Sequence, residues 1–375
     1  MRILHTECAK GWGGQELRVL QEVVGMTKRG HEVYLVVSPG SVLASKAKEK
    51  GIPVVPMSMS WWRFGSMLCR LLKIYREFKI DVVNTHGSID SWVANIAGRL
   101  SKRIPVILRS RHKSTPVSSS FRHRWLYGKL PHAVITTGEA VRKGLLAAQV
   151  VDPSRVFSIP TGVDGEVFFP RKINLELLTN LGIRNNQKVV GTIAFLRDYK
   201  GIDIFLKAAS LVIQEDEDCT FLVVGEGPER HKLELLMEKL DLKRHVAFLG
   251  FREDIPDIIS ILNVVALCSV SDEGVPQVIT QALAMEKAVV ASKVGSIPEV
   301  VRDEVTGLLV SPKNSHELSK AILRLVRDEP LRTQLGKNGS RLVMEEYSQQ
   351  KMFDKIEECY CRQLVMHSTP CVAAS

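Results

Sequence analysis

Short apolar runs alternate along this chain with stretches in which apolar residues recur at helical spacing, and the whole alternation occurs twice. Apolar runs bounded by turn residues fall at 2–6, 32–37, 54–57, 81–85, 106–108, 133–136 and 156–159. Helical periodicity starts between them, near Gly14, Val42, Ser66, Ile89, Phe121 and Glu139. Strand-length runs separated by helical segments predict parallel strands joined by crossover helices, a doubly wound sheet. The segment IPTGVDGEVFFPRK (159–172) breaks the rhythm with prolines and glycines and reads as a linker. The alternation restarts with runs at 189–194, 220–224, 246–249, 264–267, 289–291 and 307–310. Its helical patterns begin near Gly201, Glu229, Ile255, Pro276, Ser296 and Ser315. Two amphipathic segments, 329–345 and 350–365, close the pattern, and the tail HSTPCVAAS has the composition of a disordered end.

The expected fold class is therefore α/β, with two Rossmann-like doubly wound domains facing a central cleft. The first domain is expected at 1–165 and the second at 166–345. A C-terminal helix and tail, 346–375, are expected to pack back on the first. Ligands of such sheets bind beyond the carboxyl ends of the strands, so the loops that follow strands are where chemistry is sought.

Composition narrows the class. Hydrophobic residues are 45% and charged residues 25% of 375, as in an ordinary globular protein. No uninterrupted apolar stretch is long enough to span a bilayer, and the N-terminus lacks the apolar core of a signal peptide. The seven cysteines are odd in number and scattered without a CxxC pair, which points to a reducing cytoplasm and against disulfides or structural zinc. The net charge of +10 is unevenly placed: residues 1–170 carry 25 Lys+Arg against 12 Asp+Glu. Residues 99–143 hold eleven basic residues and one acid, Glu139. That is either a solvated basic face or the footprint of an anionic partner. SWWRFGSMLCRLLKIYREFK (60–79) mixes tryptophans, aliphatics and cations at helical spacing. It suits either a core-facing helix or one in peripheral contact with an anionic membrane.

Five loops carry candidate chemistry. In KGWGGQELRVL, Gly13 and Gly14 open a helix directly after the first strand, where backbone N–H groups favour an anion. The spacing is not G-x-G-x-x-G, and no acid ends the second strand to hold a ribose, so a nicotinamide cofactor is not expected. Arg197 and Lys200 lie between a strand and a helix, beside Gly201, as two cations would for a diphosphate. Gly225 sits in a third strand–loop–helix crossing, VVGEGPERHKL. In SVSDEGVPQVITQALAM, Glu273 stands beside Gly274 and Val275, with Pro276 at the first helical position. Glu273 can accept from sugar hydroxyls, and Gln277 and Gln281 share one helix face. In PVILRSRHKSTPV, Arg109, Arg111, His112 and Lys113 cluster after a strand, whereas His86 reads equally well as an interior histidine.

Taken in order, these pieces resemble the family 4 (group 1) retaining glycosyltransferases, whose architecture is called GT-B. The matching segments are the GG loop, RGHEV (29–33), DVVNTHG (81–87), IPTGVD (159–164), KG (200–201) and VVGEGP (223–228). HVAFLGFRED (245–254), SDEGVPQVITQALAM (271–285), VGSIPEVV (294–301) and TGLLV (306–310) follow. The resemblance implies a nucleotide-diphosphate sugar held mainly by the second domain. The implied donor-binding set is Gly13, Gly14, Arg197, Lys200, Gly225, Phe251, Arg252, Glu273, Gly274, Val275 and Gln281. Glu273 matches the first acid of the family's E-x7-E motif and Gln281 the second, so the usual ribose-gripping carboxylate is an amide here. The family's phosphate-binding arginine falls at Phe195, with Arg197 two residues on. The implied acceptor side is Arg109, Arg111, His112 and Lys113, with His112 and Glu273 at the reacting centre. Transfer would proceed by front-face attack, with the leaving phosphate taking the acceptor's proton. No metal or other cofactor is expected. The acceptor would be a glycan or a lipid-linked, anionic molecule, as in lipopolysaccharide or cell-surface polysaccharide synthesis. No nucleic acid is expected, and the location would be cytoplasmic, at the inner face of the membrane if the helix at 60–79 docks there. Two other readings are an epimerase of the same architecture, which needs no acceptor, and a polyanion-binding protein. Against the second, the basic stretch is not interleaved with aromatic residues that stack on bases.

Overall fold

A computed structural model describes residues 1–271 and 273–368; most of the tail expected to be disordered lies outside that range. The chain forms two compact units, one of Met1–Pro160 with the segment from Met352 onward, the other of Thr161–Lys351. The first crossing falls inside the stretch read as a linker.

Among the described residues the first unit holds seven strands: β1 (Arg2–Glu7), β2 (Glu32–Val37), β3 (Val54–Pro56), β4 (Val82–Thr85), β5 (Val106–Arg111), β6 (Ala133–Thr136) and β7 (Val156–Ser158). They form one parallel sheet in the order β3-β2-β1-β4-β5-β6-β7. The second unit has six: β8 (Lys188–Ile193), β9 (Cys219–Val224), β10 (Val246–Gly250), β11 (Val264–Leu267), β12 (Ala288–Ser292) and β13 (Leu308–Val310). Their order is β10-β9-β8-β11-β12-β13, again all parallel. In both sheets the order reverses beside the first strand, between β1 and β4 and between β8 and β11. Loops diverge there, and a crevice for ligands opens.

Every strand sits on an apolar run because both faces of each sheet are covered. In the first unit Ile3, Leu35 and Val82 meet Val19, Val23 and Met26 of the helix Gly14–Lys28 on one face. Leu4, Val36 and Val83 meet Met67, Leu71 and Ile74 of the helix Phe64–Glu77 on the other. From Met352 onward the C-terminal helix Gln349–Ser368 belongs to this unit: Phe353, Ile356 and Tyr360 join its core. A side chain at Gly25 would run into the Phe353 ring, so the close approach of the two helices depends on that glycine. Arg29 then bonds Asp354 at 2.6 Å and Glu357 at 2.8 Å across the same contact.

One strand differs from its expected extent. The apolar run ends at Leu108, but β5 continues through Arg111, paired to β6 as far as Arg111 opposite Thr136. Arg109, Ser110 and Arg111 are thus strand residues with alternating faces, not loop residues after a strand. Backbone pairing to a neighbour overrides the local polarity that ended the run.

Candidate functional site

At the switch point of the second unit, two loops are tied together by their backbones. The Val270 N–H donates to the Tyr199 carbonyl at 2.8 Å. Gly201 has φ +64°, and a Cβ there would run into the carbonyl oxygen of Cys268. The position therefore needs glycine on both counts. This clasp brings Lys200, after β8, against Glu273, after β11. The Lys200 ammonium donates to both carboxylate oxygens, at 2.8 and 2.7 Å. The two side chains keep 17% and 12% of their exposure, so the pair is shielded yet reachable from solvent. The Ser269 hydroxyl also donates to Glu273. From behind, the Ser296 N–H donates to the Glu273 carbonyl at 2.8 Å, and Gly295, at φ +53°, lies against the Glu273 backbone. The conspicuous VGSIPEVV segment thus holds the glutamate in place.

The other donor-side positions surround this corner unevenly. Arg197 is exposed and stacks on Phe195, its guanidinium 5.0 Å from the ring centroid. Gly225 and Gly227 press on the carbonyls of Ala194 and Leu196, shaping the loop that carries Arg197 and Lys200. Val275 is buried in the core, so its backbone alone is available, while Gly274 and Gln281 are half-buried. Pro276 is not the first residue of its helix: it has extended backbone, ψ 129°, and the helix begins at Gln277. Phe251 is exposed, and Arg252 is engaged by Asp254 at 2.8 Å.

The first unit has a different switch point. The helix N-terminus at Gly13 and Gly14 is already served by an acid: the Glu16 carboxylate accepts from the Gly13 N–H, with burial raising its pKa. Next to it, burial pushes the Glu7 carboxyl up to about 7, with Asp90 adding repulsion. Asp90 accepts from the Thr6 hydroxyl at 2.9 Å and the Gly87 N–H at 3.0 Å. On β5, the alternation places Arg109 and Arg111 on one face, both over the Tyr127 ring, at 4.9 and 5.5 Å from its centroid. Burial alone would raise the Tyr127 pKa; the two guanidiniums outweigh it and hold the phenol below its ordinary value. Arg109 is buried and donates to the Gly87 carbonyl at 3.0 Å, while Arg111 binds the Tyr127 hydroxyl and the Thr115 carbonyl. Lys113 is exposed. His112, half-buried, bonds His86 at 2.9 Å, and His86 bonds His5 at 2.9 Å.

Burial lowers all three imidazoles, His5 to about 3 and the other two well below the usual value; Arg18 and Arg109 add repulsion at His86 and His112. His5, Glu22 and His86 offer ligand atoms within 4.8 Å of one another. Arg18, however, already bonds Glu22 at 2.6 Å, and the two histidines bond each other directly. The cluster is therefore a hydrogen-bonded network and not a vacant metal cage.

The sequence places Lys200 and Glu273 in loops and Arg109, Arg111 and His112 after a strand, leaves His86 open as an interior histidine, and does not single out Ser269, Tyr127, Glu7, Asp90 or His5. His5, Glu7, His86 and Ser269 lie within or directly after apolar runs, whereas Asp90 and Tyr127 lie on helical segments; only the strand order brings them to the site.

Two family models match the chain: Glycosyl transferases group 1 over residues 176–342 and Glycosyltransferase Family 4 over residues 12–167. The UDP-Gal:alpha-D-GlcNAc-diphosphoundecaprenol alpha-1,3-galactosyltransferase of Escherichia coli is 26% identical over 326 residues, 84% of each chain. The N-acetyl-alpha-D-glucosaminyl L-malate synthase of Bacillus anthracis is 25% identical over 303 residues, 79% of this chain and 78% of that one. Among solved structures, Anabaena HepE in complex with UDP superposes with a TM-score of 0.86 at 22% identity, covering 96% of this chain and all of that one.

Proposed function

We propose that this chain, which belongs to the family 4, group 1 glycosyltransferases, transfers a sugar with retention from a nucleotide diphosphate to a lipid-linked or glycan acceptor. Its fold is GT-B, two parallel sheets each covered by helices. The observation that carries the reading is the Lys200–Glu273 pair at the switch point of the second sheet. In the free protein each group neutralises the other. A sugar diphosphate would replace both partnerships at once: its phosphates take the ammonium, and the freed carboxylate accepts from hydroxyls of the sugar. Lys200 then stabilises the charge that grows on the leaving diphosphate, which is the dominant demand in such a transfer. With that cation in place, and Arg197 within the same loop, the reaction is proposed to run without a metal.

UDP is the first nucleotide to test, because the Escherichia coli relative is named for UDP-Gal and the Anabaena protein was solved with UDP. That relative is named for an alpha-D-GlcNAc-diphosphoundecaprenol acceptor, and the basic first half of this chain suits an anionic acceptor of that kind. Peripheral membrane contact is proposed through Trp61 and Trp62, 59% and 99% exposed, at the start of a helix carrying Arg70, Lys73 and Arg76. The apolar face of that helix is spent on the core, so the tryptophans are what remains for a bilayer. No helix among the described residues is long and apolar enough to cross a membrane.

The deciding experiment supplies UDP-, GDP- and ADP-sugars with a lipid-diphosphate acceptor and reads the product by mass and by its anomeric proton signal. Transfer with the donor's anomeric configuration kept is expected. Conversion of the donor without an acceptor would favour an epimerase and overturn the proposal.

A further inference from the structure

His5, His86 and His112 lie on or just beyond β1, β4 and β5, which are adjacent in the sheet, so they form a staircase across three strands. Their burial falls along it: His5 and His86 are buried, His112 half-buried. The rings do not lie face to face. The centroid spacing of 5.2 Å at both steps equals the 2.9 Å N···N distance plus the two ring radii, so the rings meet edge to edge. At the first step they are within 10° of coplanar, which aims one ring's N–H at the next ring's lone pair.

The links are His112 Nε2 to His86 Nδ1 and His86 Nε2 to His5 Nδ1. A neutral imidazole has one donor and one acceptor nitrogen. The chain therefore has only two consistent arrangements, with all protons pointing outward or all inward. Two features of the buried end choose between them. The Glu22 carboxylate, bonded by Arg18 and by Asn84, lies 3.9 Å from His5 Nδ1 and favours a proton there. His5 Nε2 is buried without a partner, and an unpartnered lone pair is a smaller penalty than an unpartnered N–H. Both features put the proton on His5 Nδ1, which donates to His86. His86 Nδ1 then donates to His112 Nε2, leaving the proton of His112 on Nδ1. Among the described residues, that nitrogen makes no hydrogen bond. Protonating His112 on Nε2 as well would reverse every link, strand an N–H at His5 Nε2 and turn a lone pair toward Glu22.

We infer that His5 and His86 are positioning residues that lock His112 as its neutral Nδ1–H tautomer, a hydrogen-bond donor to a substrate oxygen. In that form His112 cannot act as a base toward the acceptor hydroxyl. The inference rests on the reading of His112 as a residue at the reacting centre, but its first test does not need activity.

In protein labelled with 15N-histidine, the His112 signal is assigned by its loss in His112→Gln. At neutral pH, Nδ1 should carry the proton and Nε2 should be bare; the opposite tautomer, or an imidazolium, overturns the inference whether or not sugar is transferred. Variants supply the second test. His5→Leu, which removes the donor, should scramble the His112 tautomer and lower kcat about tenfold while donor KM stays within about twofold. His5→Gln, whose amide N–H can donate to His86, should restore both. A folded His5→Leu protein with an unchanged His112 tautomer overturns the inference. If that variant fails to fold, the wild-type spectrum still decides.

Discussion

The two sheets reverse their strand order at the same place, yet their switch points are built from opposite chemistry. In the second unit, a formal cation and a formal anion, Lys200 and Glu273, stand at the carboxyl ends of β8 and β11, partly open to solvent. In the first unit, the corresponding region at the ends of β1, β4 and β5 holds neutral imidazoles in a row, backed by carboxylates whose pKa values burial raises. One topology thus supplies a charged corner suited to holding a diphosphate and an uncharged column suited to orienting a hydrogen bond. The fold fixes where ligands go; the residues at strand ends decide what kind of ligand.

The largest effect should come from the charged corner. Lys200→Ala and Glu273→Gln should each lower kcat/KM by on the order of a hundredfold or more, measured by product formation at subsaturating donor. A loss confined to one of the two would break the account of the pair as a single unit. On the first unit, Arg111→Gln should weaken an anionic acceptor by about tenfold in KM while leaving a neutral acceptor analogue unaffected. Equal losses for both would make Arg111 structural.

A third test uses the raised Glu7 carboxyl. Its folded pKa of about 7 exceeds the ordinary value near 4.5, so the folded state favours the protonated form. That contribution is fully present below about pH 4.5 and is lost as pH rises through about 7. Glu7→Gln should therefore melt at the same temperature as the wild type at pH 4.5, and a few degrees higher at pH 8. The converse pattern would mean that Glu7 is ionised and stabilised in the folded protein.

Smaller effects are expected at the edges of the charged corner. Gln281→Glu should alter donor affinity by about 1 kcal/mol, because an amide in the proposed ribose-facing position would still accept from one hydroxyl. An effect larger than that of Glu273→Gln would reverse the ranking of the two motif positions. Treatment with EDTA should leave the transfer rate unchanged.

How far the chain could be read before folding follows the same contrast. The strands of both sheets lie on apolar runs because a parallel sheet buries both faces, and that burial is a local signal. The charged corner was legible because Gly201 marks the turn beside Lys200, and Gly274 and Pro276 mark the one beside Glu273. Ser269 was not: it opens the SVSDEG stretch as one of two serines ahead of the acids, and its contact with Glu273 exists only once the loop is folded. The histidine column was illegible: its members are separated by 81 and 26 residues and meet only once β1, β4 and β5 are neighbours. Arg109 and Arg111 were found but placed in a loop, because two cations end an apolar run even where the ladder continues to Thr136.

The central claim is that Lys200 binds the diphosphate of the donor, and calorimetric titration of UDP, GDP and ADP into wild-type protein and Lys200→Ala tests it most directly. The expected result is saturable binding of at least one of the three, weakened at least about tenfold in the variant, which corresponds to ~1.4 kcal/mol. Binding of none of them, or equal affinity in a folded Lys200→Ala protein, would contradict it.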